Sequence, residues 1–180
     1  MIRRAQFLDR LQTLLRSPRL LHIRRNHALE HATIHILSQR YPQKAFIGRS
    51  DARGFYIYGD LTSDQLWESV QEALTRLQQG DDRLAIHPNC GTNLVVAGLL
   101  GGTASYLAMA SDKKGSRQAR LERLPWAMLG TIMALLAAQP LGRAAQKRLT
   151  TEADVGSLSV TAIHRLHAGS RVVHRVITSP

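Results

Sequence analysis

N-L-V-V-A-G-L-L-G-G-T-A-S-Y-L-A-M-A (93–110) carries no charged side chain, and the charge-free stretch around it runs from Leu84 to Ser111. A second such run extends from Leu124 to Gly142, through Trp126, Met128, Leu129, Ile132, Leu135 and Leu136. At 1.5 Å of rise per residue, a helix of ~20 residues crosses ~30 Å of hydrocarbon. A chain of 180 residues has little protein with which to bury two apolar helices on all sides. The expectation is therefore a transmembrane helical hairpin over 91–142. It separates a site-bearing region, 1–90, from a C-terminal tail, 143–180. Gly98 and Gly102 stand at GxxxG spacing, and Gly130 with Ala134 gives the second run a small-residue face. Such faces let helices approach closely, so they are expected to join the spans to each other or to a second copy in a homo-oligomer.

Outward from the hairpin, the balance of charge is strongly basic. Lys+Arg number 24 against 13 Asp+Glu, a formal net charge of +11. This excess fits anionic lipid headgroups. Nucleic acid is disfavoured, because aromatics make up only 5% of the chain and no stretch interleaves them with basic residues. The connecting loop holds Lys113, Lys114, Arg117, Arg120 and Arg123, whereas Arg143, Lys147 and Arg148 follow the second span. By the positive-inside rule these clusters compete, and the reading adopted places both termini in the cytoplasm. The single cysteine, Cys90, excludes an internal disulfide. Charged residues from Arg3 to Arg16 interrupt the first apolar positions, so no secretory signal is read there.

Residues 2–16 read as an amphipathic helix. Ser17-Pro18 opens a second helix that Tyr41-Pro42 ends near Arg40. Arg19, Arg24 and Arg25 on it form either a solvated face or a belt on lipid phosphates. Ala45–Tyr58 reads as a β-hairpin with a four- or five-residue turn. Thr62-Ser63-Asp64-Gln65 is a capping box opening a helix that Gly80 closes, with Trp67 expected in the core. In the tail, Glu152 and Asp154 either complete a metal shell or, the preferred reading, cap a helix through Val160, Ile163 and Leu166, followed by a short strand over 171–178. The fold class is α+β, mainly α: N-terminal helices and a hairpin-plus-helix unit joined to the two spans.

The chemistry lies in H-A-L-E-H (27–31) and H-P-N-C-G-T-N (87–93). On a helix, His27, Glu30 and His31 project together, with His35 one turn further. Two imidazoles at i and i+4 can hold one divalent ion, and a carboxylate beside them can deprotonate water, the inverted zincin spacing. His87 and Cys90, stiffened by Pro88, form a second candidate pair of ligands. The metal set is thus His27, His31, His87 and Cys90, with Glu30 as catalytic base and Zn²⁺ or another divalent transition metal as cofactor.

Together with Q-K-R-L-T-T-E-A-D…L-S-V-T-A-I (146–163), these stretches make the chain resemble the YqhQ-type bacterial membrane proteins. The resemblance covers residues 26–163. It implies a multi-pass protein of the bacterial inner membrane with a metal site built from His27, Glu30, His31, His87 and Cys90, and it implies no substrate. The acidic motif departs from that pattern, reading Glu-Ala-Asp after Thr151. Three functions follow: a membrane-bound metal-dependent hydrolase, a non-enzymatic membrane protein with a structural metal site, or a metal-free scaffold that binds lipid or a partner.

Overall fold

A computed structural model describes residues 2–110, 117–168 and 171–180. The chain is mainly helical with a small antiparallel sheet, and it clusters into two compact units. One unit comprises Met1–His87 with Lys147–Pro180, the other Pro88–Gln146. Lys113 and Lys114, which belong to the expected basic loop, lie outside the described residues.

The first unit opens with α1 (Ile2–Leu15) and α2 (Pro18–Arg40). Ser17 occupies the N-cap in an extended conformation, with Pro18 just inside the helix, but its hydroxyl caps no backbone N–H. Proline at the first position removes a donor that would otherwise lack a partner. β1 (Ile47–Asp51) and β2 (Gly54–Tyr58) form the hairpin. Asp51 pairs with Gly54, so the connection is two residues, tighter than the four or five expected. Gly54, at φ 134°, lies against the carbonyl of Val176 and leaves no room for a side chain. α3 (Ser63–Gln78) begins with the complete Thr62/Gln65 capping box, and Gly80 follows its end at φ 88°.

The tail departs most from expectation. Val160, Ile163 and Leu166 belong to β3 (Ser159–Ala168), not to a helix, and β4 (Arg171–Ser179) pairs with it. Spacing by three imitates a helical stripe. In the strand, a register shift between Val160 and Ala162 changes the alternation, so Val160 and Ile163 both pack on the core. Leu166 stays 42% exposed. β4 lies between β2 and β3 in the order β1-β2-β4-β3. Residues after Lys147 therefore complete the N-terminal unit. Glu152 and Asp154 cap no helix and instead pair with Arg24 and Arg25.

Phe55, Ile57 and Val176 on the sheet meet Leu29, Ile36 and Leu37 of α2 and Leu66, Val70 and Leu77 of α3 in one buried cluster. Each such side chain contributes about 1.5–3 kcal/mol of burial. Trp67 is 42% exposed because it is one residue, about 100° of helix, off the stripe led by Leu66.

On the sheet's other face, Arg175 bonds Asp51 at 2.7 Å and lies over the Tyr56 ring at 4.3 Å. Burial raises the Asp51 carboxyl pKa, but bonds from Arg175 and the Arg53 N–H, with the charges of Arg175 and Arg49, outweigh it and hold it below its ordinary value. A folded value below the unfolded one gives stability that is present above the unfolded pKa, near 4, and lost as pH falls through the folded value. Asp51→Asn is expected to cost ~1 kcal/mol at pH 7, discounted for solvent screening. Thermal melts at pH 7 and at about pH 2.5 should show that difference vanishing in acid.

The second unit is α4 (Gly91–Ala110) and α5 (Arg117–Ala145), followed by a π-helical turn at Gln146–Thr150. Two helices, Gly91–Ala110 and Leu121–Thr150, are long and apolar enough to cross a membrane. Leu94, Leu99, Trp126 and Met128 are each at least 60% exposed. Within the hairpin Gly101 faces α5, its Cβ position 3.4 Å from Leu135 and 3.5 Å from Thr131. Gly98, Gly102 and Gly130 face open space. These three glycines thus do not form the contact between the two helices.

Candidate metal centre

α2 carries His27, His31 and His35 at four-residue intervals, each turned about 40° from the last, on one side of the helix. The T-shaped His27–His31 pair has ring centroids 4.4 Å apart. His87, which follows the short helix Asp82–Ala85, brings its ring 5.7 Å from His31 and 4.8 Å from His35. Four imidazoles drawn from two segments therefore converge within the first unit. Burial, and next the charge of His35, push the His87 pKa down to about 4. The ring is neutral at physiological pH, the form in which imidazole binds metal.

Backbone carbonyls orient three of these rings. His31 Nδ1 is 2.7 Å from the carbonyl of Ala85, His27 Nδ1 is 3.0 Å from that of Thr150, and His35 Nε2 is 2.9 Å from that of Ile86. A carbonyl only accepts, so each contacting nitrogen carries the proton. In the neutral form of each ring, Nε2 of His27 and of His31 is then the lone-pair atom. Fixing the far nitrogen in this way is how proteins orient metal-binding histidines. One ring nitrogen of His27 and one of His31 lie within 4.8 Å of each other. Bonds of 2.0–2.1 Å to a tetrahedral ion would bring two such nitrogens to roughly 3.3 Å, a change within reach of small side-chain rotations.

Glu30 is 5% exposed and His31 2%. The Glu30 side chain rests against β1 at Gly48, where an added Cβ would lie 2.6 Å from both Cγ and Cδ of the glutamate. The absence of a side chain on Gly48 is what admits the carboxylate. Cys90 is buried and belongs to the second unit. Two residues, Pro88 and Asn89, stand between it and His87 in the chain.

Arg24 is not part of an exposed belt. It is 8% exposed, donates to the carbonyl of Thr151 at 2.9 Å and to that of Leu15 at 3.3 Å, and pairs with Glu152 at 3.2 Å. Arg25 donates to the carbonyl of Asp154 at 2.8 Å. These bonds hold residues 151–154 along α2, next to the Thr150 carbonyl that orients His27. Sequence reasoning left His35 without a role, although its i+4 step from His31 was a visible signal. It had no means of finding Gly48, Arg24 or the three carbonyls, whose partners are distant in the chain.

The domain family described as Domain of unknown function (DUF6391) matches residues 22–163. The chain belongs to this family. The match takes in His27, Glu30, His31, His87, Cys90 and the apolar parts of both long helices. An uncharacterized protein from Picosynechococcus sp. (strain PCC 7002) is 36% identical over 146 residues, which are 73% of this chain and 67% of that one. No solved structure matches the chain. The comparisons support an uncharacterised bacterial family. They carry neither the YqhQ-type label nor a metal requirement.

Proposed function

We propose that the chain is an integral membrane protein of the bacterial inner membrane whose first unit carries a divalent transition-metal site with hydrolytic chemistry. His27 and His31 are the core ligands, and His87 supplies a further donor. Imidazole suits zinc and its neighbours in the transition series. The observation that carries the reading is the paired carbonyl contacts at His27 and His31, which hold both rings by their Nδ1 atoms on neighbouring turns of α2.

The membrane reading draws on the exposed apolar surface of α4 and α5 and on the sheet. β2 precedes both long helices and β4 follows them, yet the two strands are hydrogen-bonded neighbours. That pairing requires an even number of crossings between them, which a two-span hairpin provides. Both termini then share one side, and Arg143, Lys147 and Arg148 favour the cytoplasm. The partner is the bilayer with its anionic headgroups, and the open faces of Gly98 and Gly102 are available for a second copy.

A divalent ion here supplies Lewis acidity, bringing the pKa of a bound water to about 7. Glu30 is the general base in this reading. It is a buried carboxylate next to the two rings on the same helix, and β1 gives up a side chain to admit it. Glu30→Gln is expected to retain metal and lose hydrolytic turnover by at least about a hundredfold, the scale of general-base catalysis. Parallel loss of metal and turnover would make Glu30 a ligand and overturn the hydrolase assignment.

The burial of His31 favours a second reading, the closed shell with a structural role that the sequence also allows. In that case removing metal unfolds the first unit, whereas the hydrolytic site leaves the fold standing.

A further inference from the structure

The second unit contains a groove of about 400 Å³ between α4 and α5, a size usual for a small-molecule site. Leu94, Ala97, Leu135 and Ala138 form its wall, and Gln139 and Arg143 stand at its mouth. Positions 135, 139 and 143 repeat every four residues, so one stripe of α5 passes from apolar to cationic along the groove. α4 contributes Leu94 and Ala97 from one face in the same manner.

The mouth is built by specific contacts. Asn93 donates to the carbonyl of Pro88 at 2.6 Å and accepts from Gln146 at 2.7 Å. Its side chain occupies the space a Cβ on Gly142 would need. This ties the start of α4 to the end of α5 and fixes the level at which Arg143 emerges. Arg143 is also the first charge after the run that ends at Gly142. It is exposed, and no acidic residue lines the groove. Among the described residues, no charged side chain lines the cavity at the opposite end of the hairpin, bounded by Ser105, Met109 and Leu124 among others.

We infer that this groove is a binding site for one anionic phospholipid, its phosphate on Arg143 and Gln139 and an acyl chain along the Leu94–Leu135 wall. The inference rests on the membrane reading. In a bilayer the apolar wall lies within the hydrocarbon, and the first charge beyond it lies at phosphate level. A lone cation there, with no acid beside it, selects for a headgroup of net negative charge.

The test is native mass spectrometry of the full-length protein in detergent, titrated with dioleoyl phosphatidylglycerol or dioleoyl phosphatidylcholine. Wild type is expected to take one phosphatidylglycerol in preference to phosphatidylcholine by about fivefold, the factor that one basic residue at an anionic surface supplies. Arg143→Gln should bring the preference below about twofold while far-ultraviolet circular dichroism and metal content stay unchanged. Ala97→Phe, which fills the apolar wall, should remove the first bound lipid of either kind. An equal response to both lipids, several equivalent adducts of ordinary annular lipid, or an undiminished preference in Arg143→Gln would each overturn the site. A protein that remains in solution without detergent would instead refute the membrane reading on which the site depends.

Discussion

Gly48→Val should destabilise the first unit by about 3 kcal/mol or more, the upper range for forcing extra carbon into a filled interior. An alanine Cβ at this position would lie 2.6 Å from both Cγ and Cδ of Glu30, well inside contact distance. Valine adds two further methyl groups to the same space. Glu30 is itself 5% exposed, and Ala28, Leu29, His31 and Ala32 beside it are all buried. The clash therefore displaces either β1 or the helix that carries the histidines. Gly48→Ala should cost about 2 kcal/mol by the same mechanism. The double variant Gly48→Ala/Glu30→Ala should recover most of that, giving a coupling of roughly 1.5–2 kcal/mol in a double-mutant cycle. Denaturation of the four proteins measures it. A Gly48→Ala change within 0.5 kcal/mol of wild type, or additive single effects, would show that the carboxylate does not depend on the glycine.

Features written in local spacing were legible in the sequence. The i, i+4 repeat of His27 and His31, the proline at the start of α2, the Thr62 box and the two charge-free runs all depend on neighbours within a turn or two. Each appears in the structure where its spacing puts it. Features set by distant partners were not legible. Val160, Ile163 and Leu166 imitate a helical stripe because a bulge lets two residues three apart face the same core, and only the pairing with β4 reveals it. Arg24 looked like one more surface arginine because the carbonyl and carboxylate it binds lie more than a hundred residues away. Gly98 and Gly102 have the spacing of a packing motif, yet the helix turns Gly101 towards its neighbour instead. Glycine spacing alone does not say which side of a helix meets a partner.

His31→Ala should produce the largest functional change. The ring is 2% exposed, its Nδ1 is bound to the Ala85 carbonyl at 2.7 Å, and its centroid lies between those of His27 and His87 at 4.4 and 5.7 Å. Losing an outer partner of a metal ligand costs about ten- to hundredfold in affinity, and losing the ligand itself should cost more than hundredfold. His27→Ala should weaken binding in the same direction. His164, on β3 at the sheet's other edge and paired with Arg175, is the matched control and should retain wild-type metal content when changed to alanine. The decisive measurement is elemental analysis of gently purified full-length protein. The account predicts about one equivalent of a divalent transition metal in wild type and His164→Ala, and little in His31→Ala. Wild type that holds no transition metal, or His31→Ala that holds as much as wild type, would contradict it.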